Sequence, residues 1–200
     1  MWIYRRVPAN GERAGAARGL PGGSGGAYRG PMERGEITLL HRIEGPAVGL
    51  GVVRVEGVEA GPAPNALARE LDAWVVRRGD GPLPPEQEQL RLASRDMLRN
   101  GRYKPTGRGK PASEYLLRAA ARGELPRING PVDANNLVSL QHCVPISVWD
   151  LDRAGTRQFE LRLGRPGERY VFNAAGQLLE LQDLVCGCGL QGTGSTPLVT

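Results

Sequence analysis

Residues 110–152 read KPASEYLLRAAARGELPRINGPVDANNLVSLQHCVPISVWDLD. The first part has helical spacing. Ser113 is placed to cap a helix through about Arg122, with Tyr115, Leu116 and Ala119/Ala120 inward, and Gly123 ends it. In the second part Asn129, Asp133, Asn135, Asn136 and Ser139 are short polar residues set among Ile128, Val132, Leu137, Val138 and Leu140. Asp133 is expected to cap a short helix from Ala134 to about Gln141, where its carboxylate meets amides that have no partner inside the helix. On that helix Asn136 shares a face with Ser139 and Leu140. Polar groups buried in such company are costly unless each finds a partner. The cluster is therefore either a hydrogen-bond network pinning a loop–helix–strand junction or the wall of a site.

Outward from this stretch the chain is mixed. Ile37–Ile43 and Leu50–Val58 are β-branched runs bounded by Gly and Pro and read as strands. Asn65 is placed to cap a helix through Arg77 with Leu67, Leu71 and Trp74/Val75 on its apolar face, and a second helix is expected from Pro85 to Leu98. The second presents Leu90, Ala93, Met97 and Leu98 inward and Arg91, Arg95 and Arg99 along its outer side. Downstream, Ile146–Trp149, Phe159–Leu163, Tyr170–Phe172 and Leu178–Leu181 read as strands. The class is α+β, with helices packed on a mixed or antiparallel sheet.

The formal charge of +5 is unevenly spread. Residues 1–31 hold five Arg and one Glu, and residues 91–127 hold ten Lys/Arg against three Asp/Glu, so the remainder is acidic. A domain that keeps its positive charge in one stretch presents a face suited to a polyanion, although a solvated helix face beside a basic loop has the same composition. The loop from Gly101 to Pro111 contributes Arg102, Lys104, Arg108 and Lys110, with Tyr103 the one aromatic. Residues 1–31 are Gly/Ala/Arg-rich and read as a disordered tail or a start codon set too far upstream, leaving 32–200 as the domain.

Three cysteines argue against a disulfide framework and for a reduced, cytoplasmic setting. No apolar run approaches the length of a membrane span. Cys186 and Cys188 with His142 and Cys143 lack the paired spacing of a structural zinc site, so no metal is expected. Gly187, Gly189, Gly192 and Gly194 do not form a phosphate loop, two histidines make no triad, and no cofactor is called for.

Taken together, Ile128-Asn129, Val132-Asp133, Asn136, Val138, Leu140, Pro145 and Asp150 resemble the frame of the B3/B4 domain, the tRNA-binding and editing domain of the phenylalanyl-tRNA synthetase β subunit. Pro111, Ser113, Glu114, Tyr115 and Leu117 resemble its free-standing members, and the likeness extends over roughly residues 36–200. It implies a partner that is tRNA or aminoacyl-tRNA and an activity that hydrolyses mischarged aminoacyl-tRNA in trans. Nothing resembles the synthetase's catalytic domain. The resemblance makes Asn136 the pocket asparagine and puts Asn135 where threonine is frequent. It also puts Ser147 where the family commonly has histidine, which sets tyrosine recognition in doubt; His142 has the wrong offset to replace it. Asp183–Thr200 resembles the glycine-rich wall of the pocket, and relatives continue beyond it, so the resemblance implies a chain cut short.

Three readings follow. In the first, Asn129, Asp133, Asn135, Asn136, Ser139 and Ser147 line a deacylase pocket. Glu114 is its general base or amine contact, or else a first-turn glutamate that favours the helix dipole. Arg91, Arg95, Arg99, Arg102, Lys104, Arg108 and Lys110 touch phosphates, and Tyr103 stacks on a base. The second is an RNA-binding module that kept the fold and lost the chemistry. The third is an enzyme acting on a free small molecule. All three leave the oligomeric state open.

Overall fold

A computed structural model describes residues 2–6, 28–29, 37–44, 48–171 and 176–199. Most of the tail expected over residues 1–31 lies outside them. The described chain divides into two compact units, each assembled from separated segments.

The first unit takes in residues 52–97 and 105–150 with the N-terminal segment. Its sheet is parallel: β1 (Trp2–Arg6) lies between β4 (Val53–Val58) and β5 (Val148–Asp150). The strand at 2–6 has no counterpart in the sequence reading. Four helices complete the unit: α1 (Asn65–Arg78), α2 (Pro85–Met97), α3 (Ala112–Ala121) and α4 (Gly130–His142). Leu71 and Trp74 of α1, Leu117 and Ala120 of α3, and Leu137 and Leu140 of α4 form one core with Cys143. The spacing of these residues is helical, which is why α1 follows the sequence closely.

Local details differ from the sequence reading. Asn65 is the first helical residue of α1, and Pro64 precedes it without a side-chain cap. Pro111 stands before α3, and Ser113 is fully buried inside it while Tyr115 is largely exposed. On α2 the inward residue is Ser94, and Leu90, Leu92 and Ala93 face outward. The reason lies in what α2 meets. Cys143 ends α4 in the left-handed region at φ 52, and its carbonyl accepts Ser94 Oγ at 2.7 Å and Ser113 Oγ at 3.3 Å. Gln87 donates to the Gln141 carbonyl in the same last turn. Helix α2 thus lays hydroxyl and amide donors against the unpaired carbonyl end of α4, so its buried face is polar.

The second unit takes in residues 18–51, 98–104 and 151–200. Its main sheet runs β10 (Gly194–Val199), β9 (Val185–Gln191), β6 (Gln158–Leu163), β3 (Thr38–His41), β2 (Tyr28–Arg29). It is mixed: β3 pairs with β6 in parallel and the other neighbours are antiparallel. A short helix, α5 (Leu151–Ala154), leads toward β6, and β7 (Arg169–Val171) with β8 (Leu178–Glu180) forms a two-stranded ribbon. The class is α+β. The glycine-rich segment after Asp183 is a hairpin of β9 and β10. Along β9 Cys186 and Cys188 stand opposite Arg162 and Glu160, while Gly187 and Gly189 stand opposite Leu161 and Phe159. The period of two sends the cysteines to one face and the glycines to the other.

Candidate functional site

Helix α4 begins one turn earlier than the polar pattern suggests. Asn129 is its N-cap, and its side-chain oxygen accepts the Val132 N–H at 3.0 Å. Asp133, expected as the cap, sits in the first turn instead, and its carboxylate reaches back to the Ile128 N–H at 2.9 Å. The two together form a reciprocal cap, with the acidic partner favoured by the helix dipole. The Gly130 N–H donates to the Gly61 carbonyl and the Asp133 N–H to the Asn129 carbonyl. This helix start therefore offers no spare donor to an anion. Asn129 and Asp133 border a cleft of about 570 Å³ whose other walls include Gly61, Pro62, Asp72 and Arg127. Arg127 and Asp72 are ion-paired across it.

The next turn faces elsewhere. Asn135 donates to the Ile146 carbonyl at 3.1 Å and Ser139 to the Val144 carbonyl at 2.7 Å, one turn apart on one face. They tether the segment that carries half-buried Ser147 into β5. The Asn135 side-chain oxygen is buried without a partner. Asn136 is 8% exposed, and among the described residues its carboxamide makes no side-chain hydrogen bond. It is the one polar side chain of the α4 cluster left uncommitted.

Glu114 is already engaged. Arg95 donates to it from both Nε and Nη2, the latter at 2.6 Å, and Arg91 donates from Nη1 at 3.1 Å. Burial raises the Glu114 carboxyl, but the Arg95 hydrogen bonds and the charges of Arg95 and Arg91 outweigh it and hold it below the usual carboxylate range. A general base needs a value near neutrality, so this group suits a structural clamp between α2 and α3. Arg91 also binds Glu88 at 2.7 and 2.5 Å, so the two arginines spend their charge inside the protein. A depressed carboxyl contributes stability that is complete above its unfolded value, about 4.3, and is lost as pH falls through its folded value. Glu114→Gln is expected to cost about 3 kcal/mol at pH 7. It should also flatten the acid limb of a urea-midpoint series between pH 7 and 3. An acid limb as steep as the wild type's would refute the clamp.

The basic loop is divided between the units. Arg99, Arg102 and Lys104 are exposed in the second unit, where Tyr103 is half-buried against Leu181, Leu184 and the two cysteines. Lys110 is half-buried in the first unit, and the backbone of Arg108 lies in a 3-10 turn, Gly107–Gly109. Asp183, with φ 65, accepts the Arg102 N–H at 2.8 Å and packs on Gly101, where a side chain would meet its carboxylate at 2.5 Å. Gly101 itself has φ +46, so both the turn and the close approach require glycine there.

Residues 104–188 match the family model of the B3/4 domain. Over that stretch the chain is similar to a B3/4 domain. The stretch 110–152, on which the resemblance rests, falls wholly inside the match. Neither a curated protein nor a solved structure matches the chain. The B3/4 match takes in α3, α4, β5 and α5 and ends within β9.

A second polar cluster, which sequence reasoning missed, joins residues of the matched stretch to Ser195 beyond it. On β6, Arg162 is buried and donates to Glu160 at 3.0 Å, to Ser195 Oγ at 3.0 Å, and to both oxygens of Glu168 at 2.8 and 2.6 Å. The signal was an unbroken Phe-Glu-Leu-Arg strand, in which alternate charges imply a second buried face. Burial pushes the Cys186 thiol up to about 12 and raises Cys188, so both stay protonated. Among the described residues no group of three His, Cys, Asp or Glu is placed to hold a metal ion. Nor is any helix there long and apolar enough to cross a membrane.

Proposed function

We propose that this protein, similar over residues 104–188 to the B3/4 domain, binds tRNA in the cytoplasm and hydrolyses mischarged aminoacyl-tRNA in trans. The observation that carries the reading is Asn136, whose carboxamide makes no side-chain hydrogen bond among the described residues, on a helix whose neighbouring polar groups are tied to backbone. An uncommitted carboxamide can donate to an ester carbonyl and accept from an attacking water. An aminoacyl ester is already activated, so holding water and carbonyl in place is sufficient chemistry. Arg99, Arg102, Lys104, Arg108 and Lys110 serve the phosphates, with Tyr103 beside them. Arg91 and Arg95 act through Glu114 instead, and Asn129, Asp133, Asn135 and Ser139 hold the frame around Ser147.

The test is deacylation of a panel of mischarged tRNAs by the full chain and by Asn136→Ala. The expected result is turnover of one species, reduced about 100- to 1,000-fold in the variant, the range for losing one donor to a developing oxyanion. Equal turnover by both proteins would remove Asn136 from the chemistry. A second reading, a binding module without hydrolysis, is favoured by one observation: the only carboxylate proposed as a base is clamped by two guanidinium groups. Salt-dependent tRNA binding with no turnover of any species would establish it.

A further inference from the structure

Arg157 lies between α5 and β6 in the second unit, and its surroundings are fixed. Its own carbonyl accepts the Thr38 N–H at 2.9 Å. Thr156 beside it donates to the Leu190 carbonyl at 2.7 Å and accepts the Gln158 N–H at 3.1 Å. The guanidinium they hold is half-buried, yet among the described residues it makes no ion pair and no side-chain hydrogen bond, and its Nη1 is buried without a partner. Half-buried Arg91 and Arg95 and buried Arg162 are by contrast each held by carboxylates, and half-buried Arg78 by two backbone carbonyls. A guanidinium carries five donors and a permanent charge, and withdrawing it from water without an acceptor is unfavourable. Arg157 lines a cavity of about 600 Å³, with Thr156, Gln158, Gln191 and Asp152 on its walls. Gly155, at φ +63, leaves the cavity side of the turn without a side chain, and the Gln191 amide nitrogen stands 3.9 Å from where a Cβ would be.

We infer that Arg157 is the centre of an oxoanion site and that its occupant is a phosphodiester of the bound RNA, an inference that rests on the RNA-binding reading above. The planar fork of a guanidinium matches two oxygens of a phosphate. Gln158 and Gln191 add neutral donors. The site is open on its outer side, which admits a phosphate carried by a chain. Asp152, exposed on the same wall, opposes an anion and sets how tightly it is held.

The test measures tRNA affinity against salt for the full chain, Arg157→Ala, Arg157→Lys and Asp152→Asn. Arg157→Ala is expected to weaken binding about tenfold and to lower the slope of log K against log salt by about 1, the loss of one phosphate contact. Lysine should restore the slope but not the whole affinity, and Asp152→Asn should tighten binding. The melting temperature of Arg157→Ala should equal or exceed the wild type's, because among the described residues the guanidinium holds nothing. An unchanged salt slope, or a lowered melting temperature, would overturn the site. If the wild type binds no tRNA, the functional reading fails, and the site is decided by following the Arg157 Nε–Hε NMR signal against inorganic phosphate and pyrophosphate. A saturable shift then retains the oxoanion site with another source of phosphate, and no shift overturns it.

Discussion

Gly164→Ala is expected to unfold the second unit or leave it barely stable, at a cost of about 4 kcal/mol or more. A Cβ on Gly164 would lie 1.9 Å from the Leu181 carbonyl oxygen and 2.5 Å from its carbon. Those are backbone atoms and have no rotamer to escape into. Relief requires the two segments to part, which breaks the Gly164 N–H bond to the Leu184 carbonyl at 2.8 Å and the Asp183 N–H bond to the Gly164 carbonyl at 3.0 Å. The same movement carries Asp183 away from Arg102. Gly167→Ala is the control, because its φ is +76 but open space surrounds it. That change should cost only about 1 kcal/mol, the backbone penalty alone. Urea titration followed by circular dichroism separates the two, and equal stability of the two variants would refute the argument.

Arg162→Met is expected to cost about 3 kcal/mol, since removing one partner strands the others in a largely buried place. Arg42, 3.8 Å from Glu160 and largely exposed, remains as a weak partner for that carboxylate. Glu168 loses both of its guanidinium bonds. In the wild type those bonds, aided by the Arg165 N–H, hold the Glu168 carboxyl below the usual range against the opposing effect of burial. Its contribution is therefore present above about pH 4.3 and fades as pH falls through its folded value. In the variant, burial is left to push the Glu168 carboxyl up instead. The sign reverses: the deficit against wild type should shrink on going from pH 7 to pH 4. Thermal unfolding at the two pH values measures it, and a deficit that grows on acidification would show that Arg162 does not hold these carboxylates.

Much of the first unit was legible in the sequence because apolar spacing and burial agree there. Leu67, Leu71, Trp74 and Val75 define α1 from the sequence alone, and they are the residues that pack. Helix α2 was legible in extent but not in orientation. Its inward positions are filled by donors that serve the carbonyl end of α4, and hydrophobic periodicity carries no information about a polar contact of that kind. The start of α4 was misplaced for a related reason. Asn129 and Asp133 are both good caps, and only the chain geometry before Gly130, which brings the Gly61 carbonyl to the Gly130 N–H, decides between them. The polar residues of the candidate site were all visible as a cluster. Which of them is spent on backbone and which is left over, as Asn136 is, depends on contacts with residues 144–146 that spacing does not specify. Residues 185–191 were not among the strands expected from the sequence because two of the seven residues in β9 are glycine, yet the period of two was there.

Strand β3 has its parallel partner far along the chain, Thr38 beside Gln158. During synthesis β3 leaves the ribosome with an unpaired edge and must wait until the helices of the first unit have been made. Closure over so long a separation is slow, whereas contacts among neighbouring helices form early. The helical unit thus matures while the sheet is still open. In that interval β3 is a free edge able to accept a strand from another nascent copy, so crowding on a polysome is the setting in which this protein is most exposed to misassembly.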